Sequence, residues 1–184
     1  MCNHFQLAPL AETKKYLLDL GLPLQEPTFQ QTELEIFPQR TAPVLLYADD
    51  KLQLVPKSWG FPSPYRPKQV IFNARIERFY EKRPSMWDDS FARLRCLIVA
   101  QDFFEKKDQH TYRFASPDPL TLIAGIYQDD HFAMVTTKPN GIMAPIHDRM
   151  PLVIAPSELR RWLFQNFTSL IDRSAFPLKR SMVQ

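Results

Sequence analysis

Cys2 follows Met1 directly, and the only other cysteine of the chain is Cys96. Methionine aminopeptidase generally removes the first Met when residue 2 is small, which would leave an α-amine and a thiol on one residue. Such an aminothiol condenses with an aldehyde to an imine, and the thiol closes the imine to a five-membered thiazolidine. Because a free α-amine has a pKa of about 7.7–8.0, a useful fraction is unprotonated at neutral pH. A small residue at position 2 is also common for no reason beyond Met removal.

Three further segments place polar side chains among apolar ones, namely Phe72–Glu77, Asp102–Glu105 and Ala144–Pro151. The last contains the run His147-Asp148-Arg149 between prolines. Imine formation needs one proton removed from the amine and one delivered to the departing oxygen. A carboxylate among aromatic rings can have the raised pKa that suits this task, and a histidine titrates near neutrality. The segments therefore supply candidate acid–base groups.

Each candidate also has a plain structural interpretation. Asn73 could form an Asx turn at a strand end, and Glu105 could be an exposed strand residue. His147 could be a hydrogen-bonded histidine beside Asp148, with Arg149 in a surface ion pair. The two Phe-rich stretches are more typical of a core than of platforms for nucleobases. The four histidines lack the spacing of zinc ligands, so we expect no metal and no cofactor.

The composition limits the class of protein. The chain has 184 residues, of which 45% are hydrophobic and 23% are charged, which suits one compact domain covering residues 1–184. No apolar run approaches the roughly 20 residues that a membrane helix needs, and the first residues lack the pattern of a signal peptide. We therefore expect a cytoplasmic protein without membrane contact. The net charge of +3 permits nucleic-acid binding without requiring it.

The pattern of apolar and turn residues predicts a sheet made mostly of hairpins. Seventeen prolines against four glycines indicate stiff connections between the elements. The predicted strands are 44–47, 52–55, 70–72, 97–105, 111–115, 120–127, 131–137 and a final strand 150–154. The predicted helices are 9–20, 85–94 with Ser85 as its cap, and 156–167. This order is typical of an α+β fold with a curled, mainly antiparallel, distorted barrel-like sheet and a few flanking helices.

Taken in order, these segments resemble one family. The resemblance rests on Cys2, Trp59-Gly60, Asn73-Ala74-Arg75 with Glu77, Phe103-Phe104-Glu105, and Ile146-His147-Asp148-Arg149-Met150-Pro151. The chain resembles the SOS response-associated peptidase (SRAP) family of abasic-site processing proteins from residue 2 to about residue 165. The combination of an N-terminal Cys, an Asn-Ala-Arg run and an Ile-His-Asp-Arg-Met-Pro run is specific to that family.

The resemblance implies a function and roles for residues. Members bind abasic sites in single-stranded DNA and at junctions between single and double strands, and trap the ring-opened sugar aldehyde as a thiazolidine. Cys2 would be the nucleophile, Asn73 would hold it and the sugar, and Glu105 and His147 would transfer protons. The family name also implies autoproteolytic removal of Met1. The residues expected at the DNA are Arg75 and Arg149, which would hold phosphates, and His4, Tyr65, Arg83 and Thr136.

The chain departs from the family pattern in ways that leave alternatives open. The usual Cys-Gly-Arg-Phe start is Cys2-Asn3-His4-Phe5, a Tyr-Asn-x-x-Pro segment is reduced to 36–40, and the tail ends at 180–184. We expect a monomer in a bacterium or encoded by a phage. One alternative is a cysteine peptidase that acts on itself or on other proteins. Another is a non-catalytic module that binds single-stranded or modified DNA.

Overall fold

The computed structural model describes residues 1–183. The strands in this range are β1 (Phe5–Leu7), β2 (Glu35–Ile36), β3 (Thr41–Ala48), β4 (Lys51–Trp59), β5 (Phe61–Pro62), β6 (Val70–Ile71), β7 (Asn73–Arg75), β8 (Arg95–Lys107), β9 (His110–Ala115), β10 (Thr121–Gln128), β11 (His131–Thr137), β12 (Met150–Pro151), β13 (Val153–Ile154) and β14 (Lys179–Val183). The helices are α1 (Leu10–Asp19), α2 (Asp88–Arg93) and α3 (Leu159–Phe164), with 3-10 turns at Ile76–Phe79, Pro156–Glu158 and Thr168–Leu170. The predicted α+β fold is confirmed.

The three predicted hairpins are confirmed as the pairs β3–β4, β8–β9 and β10–β11. Aspartates form the turns of all three. Asp49 and Asp50 have φ angles of 51° and 57°, and Asp108 and Asp129 have φ angles of 55° and 50°. Aspartate tolerates this left-handed backbone better than most residues, and the turns it forms match the twist of the flanking strands.

The sheet curls into a distorted barrel-like shape. From β8 the pairings lead through β10, β11, β4 and β3 back to β8. Two of these ladders, the parallel one between β11 and β4 and the antiparallel one between β3 and β8, are only two residue pairs long. Strand β1 pairs with β8 farther along the edge that also pairs with β3, and it lies between β8 and β2.

Alternating side chains fill a core on each face of the sheet. Leu97 and Val99 point into a helix-covered core that contains Leu17 of α1, Phe91 of α2 and Trp162 of α3. The neighbouring residues of β8 point to the other face, into a second core that holds Cys96, Ile98, Phe5, Trp59 and Cys2. The period of two along each strand thus separates the two cores. It also makes the first residues of the chain part of a packed interior.

The helix after residue 84 is shorter than predicted. It begins at Asp88, because residues 85–88 form a side-chain-bonded turn in which the Asp88 carboxylate accepts from the Ser85 N–H at 2.9 Å and the Ser85 hydroxyl accepts from the Trp87 N–H at 3.2 Å. Such local bonds offer the backbone an alternative to the helix. Ser85 is therefore not the helix cap that the sequence predicts.

The predicted helix 156–167 is also divided. A 3-10 turn precedes α3, which ends at Phe164. The Asn166 side-chain oxygen then accepts from the N–H and the hydroxyl of Thr168 at 2.9 and 2.7 Å, which fixes a turn. The guanidinium of Arg95 donates to the carbonyl oxygens of Phe91, Trp162 and Gln165, and so satisfies the ends of α2 and α3 together.

The predicted final strand is neither continuous nor final. Residues 150–154 divide into β12, which pairs with β11, and β13, which pairs with β10. The last strand is β14, which pairs with β9 over five residues and has exposed side chains throughout. Without a buried face it carries no alternating pattern that the sequence could reveal. Gln184 lies outside the described residues. No helix in residues 1–183 has the length and apolar character to cross a membrane.

Candidate active site

Strand pairing fixes the start of the chain. Phe5 of β1 lies opposite Phe103 of β8, and the Phe104 N–H donates to the His4 carbonyl at 3.0 Å, which extends the ladder toward Cys2. Cys2 is 1% exposed. Its Sγ atom lies 3.5 Å from the carbonyl oxygen of His4 and 3.8 Å from that of Phe104. The predicted nucleophile is therefore held by the sheet and does not sit on a loose tail.

Asn73 reaches Cys2 from another strand. Strand β7 runs parallel to β11, and its alternation places Asn73 and Arg75 on one face while Ala74 enters the helix-covered core. The Asn73 side-chain amide donates to the carbonyl oxygen of Cys2 at 2.8 Å, so Asn73 serves no Asx turn. Its Oδ1 atom is buried and accepts no hydrogen bond within residues 1–183. The amide thus holds Cys2 through its nitrogen and keeps an open acceptor on its oxygen.

Glu105 is buried, so its interpretation as an exposed strand residue is wrong. Burial raises the pKa of its carboxyl from 4.5 to about 7, with the N-terminal amine opposing this rise and Asp148 adding to it. Its Oε1 atom accepts no hydrogen bond from the described residues. A carboxyl with this pKa exchanges a proton readily at neutral pH.

Burial also raises the pKa of the Cys2 thiol, from 9.0 to about 12, and the nearby charge of Glu105 raises it further. The carbonyl oxygens of His4 and Phe104 and the N-terminal amine act in the opposite direction. The thiol is therefore protonated at neutral pH. Reactive cysteines of hydrolases instead have lowered pKa values beside a base or a cation.

His147 follows a helical turn in which the Met143 carbonyl oxygen accepts from the N–H groups of Ile146 and His147 at 2.8 and 3.0 Å. Its Nδ1 atom accepts from the Arg149 N–H at 3.0 Å, so the neutral ring carries its proton on Nε2. That Nε2 atom contacts the amine of Met1. Burial, together with the amine, lowers the pKa of His147 against the effect of Asp148. The 2.9 Å contact between Nδ1 and the Asp148 carboxylate is an ion pair only when the ring is protonated.

Arg149 and Thr136 lie inside the protein. The Arg149 guanidinium donates to both carboxylate oxygens of Glu77 at 2.7 and 2.8 Å and to the Thr136 carbonyl oxygen at 2.8 Å. Burial alone would raise the pKa of Glu77, but the hydrogen bonds and charge of Arg149 bring it below its ordinary value. The pair ties the His147 loop to the turn after β7. Both residues are thus bonded within the fold. The DNA contacts expected of Arg149 and Thr136 stay predictions.

A groove of about 290 Å³ opens beside the start of the chain. Its lining includes Met1, Asn73, Arg75 and Tyr65. Tyr65 is 85% exposed and is therefore not a core residue. Arg83 is exposed, 3.6 Å from the Glu81 carboxylate, and is absent from this lining.

His4 lies on the other side of Cys2. Its ring is stacked between those of Phe37 and Phe104, with centroid distances of 4.4 and 4.3 Å, and it contacts the Glu35 carboxylate. Phe103 and Phe104 are buried, as expected of core residues.

The fold thus gathers Asn73, Glu105 and His147 around Met1 and Cys2. Arg75 and Tyr65 lie along the adjoining groove. Sequence reasoning missed Asn140, whose side chain organises the turn before His147. The run Pro139-Asn140-Gly141 was a turn signal that could have identified it. Within residues 1–183, no three His, Cys, Asp or Glu side chains form a group that could hold a metal ion.

The family model for SOS response associated peptidases (SRAP) matches residues 1–180. The chain belongs to this family. Among curated SRAP relatives it is 32% identical to the abasic site processing protein YoqW of Bacillus subtilis, over 57% of this chain and 54% of that protein. It is 26% identical to the abasic site processing protein YedK of Escherichia coli, over 65% of this chain and 59% of that protein. The alignments span little more than half the length of these relatives.

Solved structures share the SRAP fold at low sequence identity. A protein from Bacteroides thetaiotaomicron matches all of this chain over 92% of its own length, with a TM-score of 0.75 at 17% identity. A protein from Bordetella bronchiseptica matches over the full length of both chains, with a TM-score of 0.74 at 17% identity. At this identity the likeness establishes the fold alone.

Proposed function

We propose that this SRAP protein captures abasic sites in single-stranded DNA, and at junctions of single and double strands, as a covalent thiazolidine at Cys2. The observation that carries the proposal is the convergence of Asn73, Glu105 and His147 on the first two residues of the chain. The names of the curated relatives support abasic DNA as the substrate. The adduct would shield the lesion from strand cleavage in the response to DNA damage.

The bond changes balance without an oxidant or a reductant. The Cys2 amine adds to the aldehyde carbon of the ring-opened sugar, and loss of one water gives the imine. The thiol then adds across the C=N bond, so that a carbon–sulfur bond forms and the nitrogen gains a proton. Glu105, with a pKa of about 7, can deliver the proton that leaves with water and can accept the proton of the thiol.

The protonation state of the thiol sets the order of these steps. A thiol with a pKa of about 12 is a poor nucleophile at neutral pH, so the amine attacks first and the sulfur attacks the imine. Within the described residues, Sγ bonds to two backbone carbonyl oxygens and to no histidine ring. This arrangement favours aldehyde capture over the hydrolysis of foreign peptides, which needs a thiolate paired with a base.

Removal of Met1 is the precondition for this chemistry. While Met1 is attached, the nitrogen of Cys2 is an amide and forms no imine. The Met1 amine lies against His147, and Met1 also lines the groove that the sugar would enter. We include self-removal in the proposal: water adds across the Met1–Cys2 peptide bond and releases free methionine, with Glu105 as the proton-transfer group.

The test uses purified protein whose N-terminus is established by intact mass spectrometry. Protein starting at Cys2 is incubated with labelled single-stranded DNA containing one abasic site and run on a denaturing gel. We expect a shifted band that is absent with Cys2→Ser, with protein retaining Met1, and with a tetrahydrofuran site that has no aldehyde. Cys96→Ala is the matched cysteine control and should crosslink normally. Failure of the wild type to crosslink, or an undiminished band with Cys2→Ser, would refute the proposal.

A further inference from the structure

Asn140 is a buried hub between the His147 turn and the C-terminal segment. Its Oδ1 atom accepts from the N–H groups of Ile142 and Met143 at 3.1 and 2.9 Å, and its own carbonyl oxygen accepts from the Ala144 N–H at 2.9 Å. This is the bonding by which an asparagine begins a helical turn. The next bonds of that turn end at the N–H of His147.

The other end of the amide reaches across the sequence. The Asn140 Nδ2 atom donates to the Phe176 carbonyl oxygen at 2.9 Å. Phe176 is itself fixed, since its N–H donates to the Arg173 carbonyl at 3.0 Å and its carbonyl also accepts from the Leu178 N–H at 2.9 Å. Arg173 is buried and bonded to Glu158 at 2.8 Å. The turn is thus anchored to a rigid point outside its own loop.

Strand β14 supplies a second link between these two regions. The Arg180 guanidinium donates to the Ile142 carbonyl oxygen at 3.1 Å. In the same ladder Met182 lies opposite Tyr112 of β9, and Tyr112 lies opposite Glu105 of β8. On the other side of the loop, the Lys107 ammonium donates to the Pro145 carbonyl oxygen at 2.5 Å. These hydrogen bonds therefore connect the strand that carries Glu105 to the turn that carries His147.

We propose that Asn140 is a positioning residue, and that it couples the C-terminal segment 176–183 to the placement of His147 at the start of the chain. This rests on the proposed function, because it assigns His147 a reaction in which its placement matters. Asn140 does not touch the reacting atoms; it acts through the backbone of the turn. Displacement of a proton-transfer group by about 1 Å can cost about a hundredfold in rate.

The first measurement needs no DNA. The ring of His147 is titrated by NMR in wild-type protein and in Asn140→Ala. Burial and the N-terminal amine lower the pKa of this ring, whereas Asp148 and the hydrogen bond from the Arg149 N–H raise it, with burial and the amine prevailing. If the turn loosens, the ring becomes more exposed, and its pKa should rise toward the ordinary value. An unchanged titration in a folded Asn140→Ala protein would overturn the proposal.

The second measurement is the single-turnover rate of adduct formation. We expect Asn140→Ala to be slower by roughly tenfold to a hundredfold, while affinity for a tetrahydrofuran-containing strand changes less than about twofold. Asn140→Asp keeps the oxygen that begins the turn, so it should recover part of the rate. Arg180→Ala removes the second link at an exposed position and should slow the reaction about threefold. It provides the test if Asn140→Ala fails to fold. A wild-type rate in Asn140→Asp and Arg180→Ala together would overturn the role of the C-terminal segment.

Lys179→Ala is the matched control on the same strand. Its ammonium makes one 3.5 Å contact, to the Pro117 carbonyl oxygen away from the His147 turn, so its rate and its His147 titration should match the wild type. A purely structural role for Asn140 would lower the melting temperature but leave the pH dependence of the remaining activity unchanged. If the wild type forms no adduct at all, the proposed function fails, yet the NMR titration still decides whether Asn140 positions His147.

Discussion

The side-chain amide of Asn73 holds the backbone carbonyl of Cys2 at 2.8 Å, which joins strand β7 to the second residue of the chain. Strand β1 fixes the direction of the N-terminus, and Asn73 fixes the carbonyl that precedes Asn3. A reactive α-amine needs such support, because terminal residues are otherwise poorly ordered. The bond therefore converts a chain end into a defined site.

Replacing Asn73 with alanine should separate positioning from stability. One hydrogen bond is worth about 1 kcal/mol of unfolding free energy, so Asn73→Ala should remain folded. The adduct rate should nevertheless fall roughly a hundredfold, because the amine and thiol lose their fixed orientation. Single-turnover gels and thermal unfolding check both parts. An undiminished adduct rate would show that β1 alone places Cys2.

Replacing Glu105 with glutamine should change how stability depends on pH. The pKa of Glu105 rises from 4.5 to about 7 on folding, so the folded protein keeps the proton longer and loses stability as the pH rises through this window. Glu105→Gln cannot ionise. It should gain on the order of 3 kcal/mol over the wild type at pH 8 and little at pH 4. Urea unfolding at both pH values measures this gain, and an equal difference at the two would contradict it.

Replacing Arg75 should affect DNA binding, whereas replacing Arg149 should affect the stability of the fold. Arg75 is exposed in the groove, so Arg75→Ala should weaken DNA binding and reduce the salt dependence by a slope of about 0.7. Arg149→Lys should cost roughly 1–3 kcal/mol of stability, because a lysine cannot make the paired bonds to Glu77, and should leave the slope unchanged. Because lysine keeps the charge, the phosphate contact predicted from the sequence is tested with Arg149→Gln, in which a reduced slope would support it.

Replacing Tyr65 with alanine should affect DNA binding without affecting the fold. The side chain is 85% exposed and lies along the groove, where its ring can stack on a base. We expect Tyr65→Ala to weaken binding by about 1–3 kcal/mol at unchanged melting temperature, and Tyr65→Phe to bind like the wild type. Fluorescence anisotropy with single-stranded DNA is the measurement. If Tyr65→Ala binds normally, the ring has no stacking role.

The hairpins could be predicted from the sequence because their signals are local. Asp49-Asp50 between two apolar runs is sufficient to define the β3–β4 turn. The breaks within 85–94 and 156–167 could not be predicted, since side-chain bonds of Ser85 and Asn166 decide them against the helical pattern. Strand β14 was missed for the opposite reason: its place is set by pairing with β9 alone.

The predicted site residues show the same division. Asn73, Glu105 and His147 could be predicted because they interrupt apolar runs, and such an interruption can be recognised from the sequence alone. The sequence does not show whether an arginine side chain points to solvent or into the fold. Arg75 and Arg149 both follow buried segments, but one lies in the groove and the other is bonded to Glu77. The partner that decides this lies 72 positions away.

The position of Cys2 at the end of a paired strand has a mechanical consequence. In the proposed adduct, tension on the DNA would enter the protein at Cys2 and pass into β1, which is bonded to β8 on one edge and β2 on the other. A motor protein that pulled the strand would load a row of sheet hydrogen bonds and not a slack tail. The sheet around Cys2 would then resist the pulling force, and the adduct would block the movement of the motor along the strand.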